Sequence, residues 1–136
     1  MEVAMRQSFR AMGFALFFFA IPLLAHHSFS AQYDSTKPIK LTGKVTKVEW
    51  TNPHIYFYID VKDEKTGKVT NWALEMGSPN ALMRLGWSRN SMKIDDVVNV
   101  EATLAKDGSN LANVRTVVLA SNGKRLLAGS SDGTTP

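Results

Sequence analysis

The sequence predicts an all-β domain with one short helix, built as a small barrel of five strands in the order β-β-β-α-β-β. Three observations carry this expectation. From Ile39 onward, runs of period-two alternation recur between turn signals, as half-buried strands require. A single helix signature falls between the third and fourth runs. The composition is that of a globular chain about one domain long: 136 residues, 44% hydrophobic and 21% charged.

The chain opens on an address rather than on a fold. Met1 to Arg10 carries Arg6 and Arg10, and Ala11 to Ala25 then runs without a charge. A basic start, an apolar core and a small closing residue make a secretory signal over residues 1–25, cut after Ala25. The apolar run is shorter than the roughly 20 residues of a membrane span, and no second one follows. The expected product is periplasmic or secreted and not an integral membrane protein. It would begin at His26, and loss of Arg6, Arg10 and Glu2 lowers the net charge of +4 by one.

Residues 26–38 are polar and aperiodic, closed by Pro38, and read as an extended N-terminal arm. In the first strand Ile39, Leu41, Gly43 and Val45 share one parity, whereas Val48 and Trp50 share the other. A parity switch inside one strand is what a β-bulge produces, so a bulge is placed near Thr46 and Lys47. Thr51-Asn52-Pro53 turns the chain. The second strand points Ile55, Phe57, Ile59 and Val61 one way and Tyr56, Tyr58 and Asp60 the other.

A hairpin loop over Asp63 to Lys68 leads to the third strand, Val69 to Met76, with Trp72, Leu74 and Met76 inward and Trp72 assigned to the core. Ser78 as N-cap, Pro79 at the first helical position and Gly86 as a left-handed stop define a helix from Pro79 to Leu85. The fourth strand buries Val98, Val100, Ala102 and Leu104. Asp107-Gly108-Ser109-Asn110 forms a loop, and the fifth strand runs from Asn113 to Leu119. Asn122-Gly123 is a turn, and residues 122–136 read as a flexible tail, leaving 39–121 as the barrel. This order matches the OB-fold, a five-stranded Greek-key barrel. A β-sandwich would need about seven strands.

The segments HHSFSAQYD, KPIKLTGKVTKVEWTNPH, NWALEMGSPNALMRLGW and AKDGSN resemble a family of small exported bacterial proteins known only as a domain of unknown function. The resemblance spans nearly all of the chain after the signal. It implies a signal peptide, one small domain and no established activity. By strand order alone the architecture also resembles exported bacterial OB-fold proteins implicated in stress tolerance and cation binding.

Composition removes several functions. With no cysteine there is no disulfide scaffold, thiol nucleophile, Cys-based zinc site or lipoprotein anchor. The small charge surplus and the export signal argue against a nucleic-acid partner. No phosphate loop, nucleophile elbow or zincin motif occurs, so a non-enzyme is expected.

Two constellations remain. The three histidines are His26, His27 and His54. After cleavage, His26 offers an α-amine and an imidazole to one metal, and His54 or His27 supplies a third nitrogen. Such nitrogen ligation suits copper(II), and the arrangement resembles the histidine brace of exported copper proteins. No cofactor is certain, and copper is the candidate. The alternative is an envelope interaction module that binds a peptide, glycan or protein partner through an aromatic face formed by Trp50, Asn52, Tyr56 and Tyr58.

Overall fold

The computed structural model describes residues 29–129. A short helix, α1 (Phe29–Gln32), runs directly into β1 (Tyr33–Glu49). There follow β2 (Tyr56–Lys62), β3 (Val69–Glu75), α2 (Pro79–Arg84), β4 (Val97–Ala105), β5 (Leu111–Leu119) and β6 (Arg125–Leu127). Described residues thus hold six strands and two short helices in a mostly β fold, not five strands and one helix. The expected signal, His26 and His27 lie outside the described residues.

The strands form one sheet in the order β3-β2-β1-β4-β5-β6, with an additional pairing of β3 to β5. All neighbours are antiparallel except β3 and β5, whose parallel register sets Ala73, Leu74 and Glu75 against Leu111, Ala112 and Asn113. The pairings β1–β2–β3–β5–β4–β1 therefore form a closed circuit. Val45, Ile55, Phe57, Ile59, Leu74, Val98, Val100, Val114 and Val117 fill its inside and are essentially inaccessible. Ile39, Leu41, Val48, Trp50 and Trp72 are half-buried around this core. Trp72, assigned to the core from sequence, therefore sits at its edge. Among the described residues, no helix is long and apolar enough to cross a membrane.

Bends in two strands let the sheet curl. The register of β1 against β2 shifts between Val45 and Lys47, where the parity switch placed a bulge. That of β4 against β5 shifts between Glu101 and Ala102. At Gly43 the two strands approach so closely that a Cβ would stand 2.6 Å from the Asp60 carbonyl oxygen, so the bend requires glycine there. α2 begins as its sequence dictates. The Ser78 hydroxyl accepts from the Ala81 amide, Pro79 occupies the first turn, and the chain leaves through Gly86 at φ +91°.

Two boundaries differ from expectation, for one reason each. The arm is not simply extended: α1 forms, and β1 starts at Tyr33, opposite Ala105 of β4. No period-two alternation marks this stretch in the sequence, because its partner lies far along the chain. The tail is not free from residue 122. After the Asn122-Gly123 turn, β6 pairs with β5 and buries Leu126, with Ala128 buried just beyond. The Trp87 indole N–H donates to the Leu127 carbonyl at 2.8 Å, and the Gly77 amide donates to the Ala128 carbonyl at 3.0 Å. Three residues are too few to show alternation, although the hairpin turn before them was visible.

Because β6 completes the core, Leu126→Ala should lower the unfolding free energy by about 2–5 kcal/mol, read as a fall in the urea midpoint. A midpoint within error of wild type would return residues 122–129 to the status of a tail.

Candidate functional site around Glu75

Alternation along β3 turns Leu74 and Met76 inward and Glu75 outward. An outward acid should be solvated, yet Glu75 is only 2% exposed. Its cross-strand neighbours are Tyr56 on β2 and Asn113 on β5, and Tyr33, itself 1% exposed, reaches it from the start of β1. The Tyr33 hydroxyl donates to Glu75 Oε2. The Tyr56 hydroxyl donates to the same oxygen at 2.8 Å. His54 Nδ1 lies 2.7 Å from Oε1. The Asn113 side chain also hydrogen-bonds Tyr33. Among the described residues no buried side-chain nitrogen or oxygen lacks a partner, so the cluster is fully satisfied.

The fold fixes each member. His54 ends the loop between β1 and β2, which turns through a cis Asn52–Pro53 peptide. It is pinned by its neighbour: the Ile55 amide donates to the Gly77 carbonyl at 3.0 Å, and the Met76 amide donates to the Ile55 carbonyl at 2.8 Å. One edge of the His54 ring stays open, the side chain being 26% exposed. Burial first, and then hydrogen bonding to Glu75, push the phenols of Tyr33 and Tyr56 far above the ordinary tyrosine range. Both remain donors at any ordinary pH.

A second, more exposed group sits one step along the sheet. The Tyr58 hydroxyl donates to Glu49 Oε2 at 3.0 Å, and Lys47 pairs with Glu49 while its ammonium stands 5.2 Å from the Tyr58 ring centre. Lys47 and Tyr58 hold the Glu49 carboxyl below the usual carboxylate range. All three tyrosines of the chain thus donate to carboxylates.

The residues singled out from sequence separate accordingly. Tyr56 and Tyr58 do lie opposite Ile55, Phe57 and Ile59, but their hydroxyls serve two different acids. Trp50 is half-buried and packs with Val48, Met76, Trp87 and Met92. Asn52 is exposed in the loop. Among the described residues no group of three or more His, Asp or Glu side chains is placed to hold a metal ion. His54 alone of the three histidines is described, so the described part of the chain offers one imidazole, oriented by Glu75. A shallow groove of about 280 Å³ lies between Pro38, Ile39, Lys40, Glu101, Thr103 and Arg115, of which Thr103 faces Asn113 across the sheet. Its charges are partly spent on each other, Lys40 Nζ being 3.2 Å from Glu101.

Sequence reasoning missed Glu75, Tyr33 and Asn113. Each sits at an outward position that pattern alone assigns to solvent. The only signal for their meeting was negative: an acid between two apolar residues in NWALEM, with no basic partner nearby in sequence.

The model of a family of unknown function, DUF6152, matches residues 15–113. The chain belongs to the DUF6152 family. The matched span includes Tyr33, His54, Tyr56, Glu75 and Asn113, every member of the cluster. No curated protein and no solved structure shows a significant match.

The two raised phenols set an alkaline limit on this DUF6152 protein. Above the free tyrosine value near 10 the unfolded chain loses protons that the native state keeps. Stability is therefore complete below about pH 9 and falls as pH rises past about 10. The urea midpoint should follow this course, and Tyr33→Phe should flatten the alkaline decline. An equally steep decline in the variant would show that the Tyr33 proton is not held by the fold.

Proposed function

We propose that this chain is an exported small binding protein with an OB-like Greek-key barrel, and that it takes up a transition metal, copper(II) in the sharpest form, through His54 and the histidines that head the processed chain. The barrel reading is supported by the closed circuit of pairings, parallel only between β3 and β5, and by α2 between β3 and β4. In such a barrel the loop carrying His54 and the loop Lys106–Asn110 border the ligand face.

The observation that carries the metal reading is the His54–Glu75 pair. A carboxylate oxygen 2.7 Å from Nδ1 sets the ring proton on Nδ1, which leaves the lone pair on Nε2. Metal-binding histidines are oriented in this way by a carboxylate behind the ring. The other ligands come from close by along the chain. Tyr33 sits on the same Glu75, the Phe29 ring is 5.4 Å from the Tyr33 ring, and His26 is three residues before Phe29. At up to about 3.6 Å per extended residue, His26 and His27 attach within about 11 Å of Phe29. Neutral imidazole nitrogens with a terminal amine favour copper(II) over the other divalent ions. The aromatic-face alternative has less support, since the Tyr56 and Tyr58 hydroxyls are committed to Glu75 and Glu49 and both residues are half-buried.

The test uses protein recovered from the export compartment, its first residue read by mass spectrometry, in a competition titration with copper(II). A chain that starts at His26 should bind copper, and His54→Ala should weaken binding at least tenfold. A different first residue, or an affinity indifferent to His54, rejects the site.

A further inference from the structure

The segment Phe29–Tyr33 is attached to the barrel in an unusual way. α1 buries none of its residues, and Tyr33 alone is inaccessible. Behind it the β1–β4 ladder is interrupted. Tyr33 faces Ala105 and the next pairing is Pro38 with Thr103, so Asp34–Lys37 oppose Leu104 alone. Ser35, Thr36 and Lys37 are exposed, and Asp34 ties the stretch to itself: it accepts from the Thr36 amide and hydroxyl at 3.1 and 2.6 Å and pairs with Lys37 at 3.5 Å. This break in the register makes Asp34–Lys37 the candidate hinge for the segment ahead of it. Ahead of it, the tab is held by the Tyr33 hydroxyl on Glu75 and by Lys106, whose amide donates to the Gln32 carbonyl at 2.9 Å and whose ammonium reaches the Ser30 carbonyl.

Under the tab lies a row of polar and small buried side chains on the outward face of the sheet: Glu75, Asn113, Thr103 and Ala105. Lifting the tab returns polar groups to water, where they are satisfied again. It exposes little apolar surface beyond the Tyr33 ring. Docking therefore rests on the buried Tyr33 side chain, whose hydroxyl meets Glu75, and on the two bonds from Lys106, and the Glu75 carboxylate is the one that orients His54.

We propose that Phe29–Tyr33 is a hinged latch thrown by the Tyr33–Glu75 hydrogen bond, and that docking of the latch and occupation of His54 promote one another through Glu75. The coupling rests on the metal reading above, whereas the latch stands without it. Tyr33 is then a positioning residue. It touches no ligand, but it fixes where the chain leading back to His27 and His26 leaves the barrel. By linkage, whatever a docked latch adds to metal affinity, bound metal adds to docking.

The Lys106 amide reports the latch directly, because its acceptor is the Gln32 carbonyl. In metal-free processed protein, Tyr33→Phe should speed Lys106 amide exchange at least tenfold, while the amides of Val100 and Val117 stay protected and show the barrel intact. Glu75→Gln, which keeps the shape and alters the acceptor, should do the same. Unchanged Lys106 exchange in both variants overturns the latch. With copper(II) added, wild type should exchange more slowly at Lys106, and Tyr33→Phe should bind copper about tenfold more weakly. Equal affinities in wild type and Tyr33→Phe overturn the coupling alone. A wild type that takes up no copper overturns the metal reading, and the coupling with it, and leaves the latch to be judged by the exchange at Lys106.

Discussion

A carboxyl group buried on the outer face of a sheet is the constraint around which the rest of this molecule is arranged. Taking such a group out of water unpaired costs several kcal/mol at least. Glu75 tolerates it because two phenols and an imidazole meet its two oxygens. Those donors come from three separate stretches: the start of β1, the loop before β2, and β2 itself. One residue thus holds together parts of the chain that the sheet pairings alone would leave independent. The arrangement is polar throughout, so it specifies where groups sit more than it adds net stability.

The closure of the sheet explains why the cluster forms where it does. β3 and β5 pair over only three residues of each, ending at Glu75 and Asn113. Beyond that point the two strands part, and β6 fills the gap along β5. The outward side chains beside this short seam have neighbours on both strands, Glu75 facing Asn113 across it. A single tyrosine from the arm completes the enclosure. The inner core is built quite differently, from apolar side chains that include Phe57 and Trp87, and does not include Tyr33 or Ala105. Two buried layers therefore lie on opposite sides of the same strands.

Much of the framework was legible because its signals are local. The bulge near Thr46 and Lys47, the N-cap at Ser78, the stop at Gly86 and the outward placement of Tyr56 and Tyr58 all follow from residues adjacent in sequence. What pattern could not show was the cover over the outside. Period-two alternation divides a strand into inside and outside, and it equates outside with solvent. Glu75, Asn113 and Thr103 break that equation only because Tyr33 arrives from 42 residues away from the acid it meets. β6 escaped for a related reason: Leu126 is buried by β5 and by the segment around Trp87, not by any periodicity of its own. Among the histidines, position after a turn singled out His54, but its acid partner was invisible until the strands were paired.

The bond from the Trp87 indole to the Leu127 carbonyl has a bearing on how the protein is made. α2 and the segment after it are synthesised well before Arg125–Ala128, yet Trp87 and Gly77 find their partners only in those late residues. While the ribosome is still extending the chain, the core beside α2 stays unsealed, with an indole N–H and a main-chain amide still awaiting their acceptors. The nascent molecule therefore cannot lock shut until β6 has arrived.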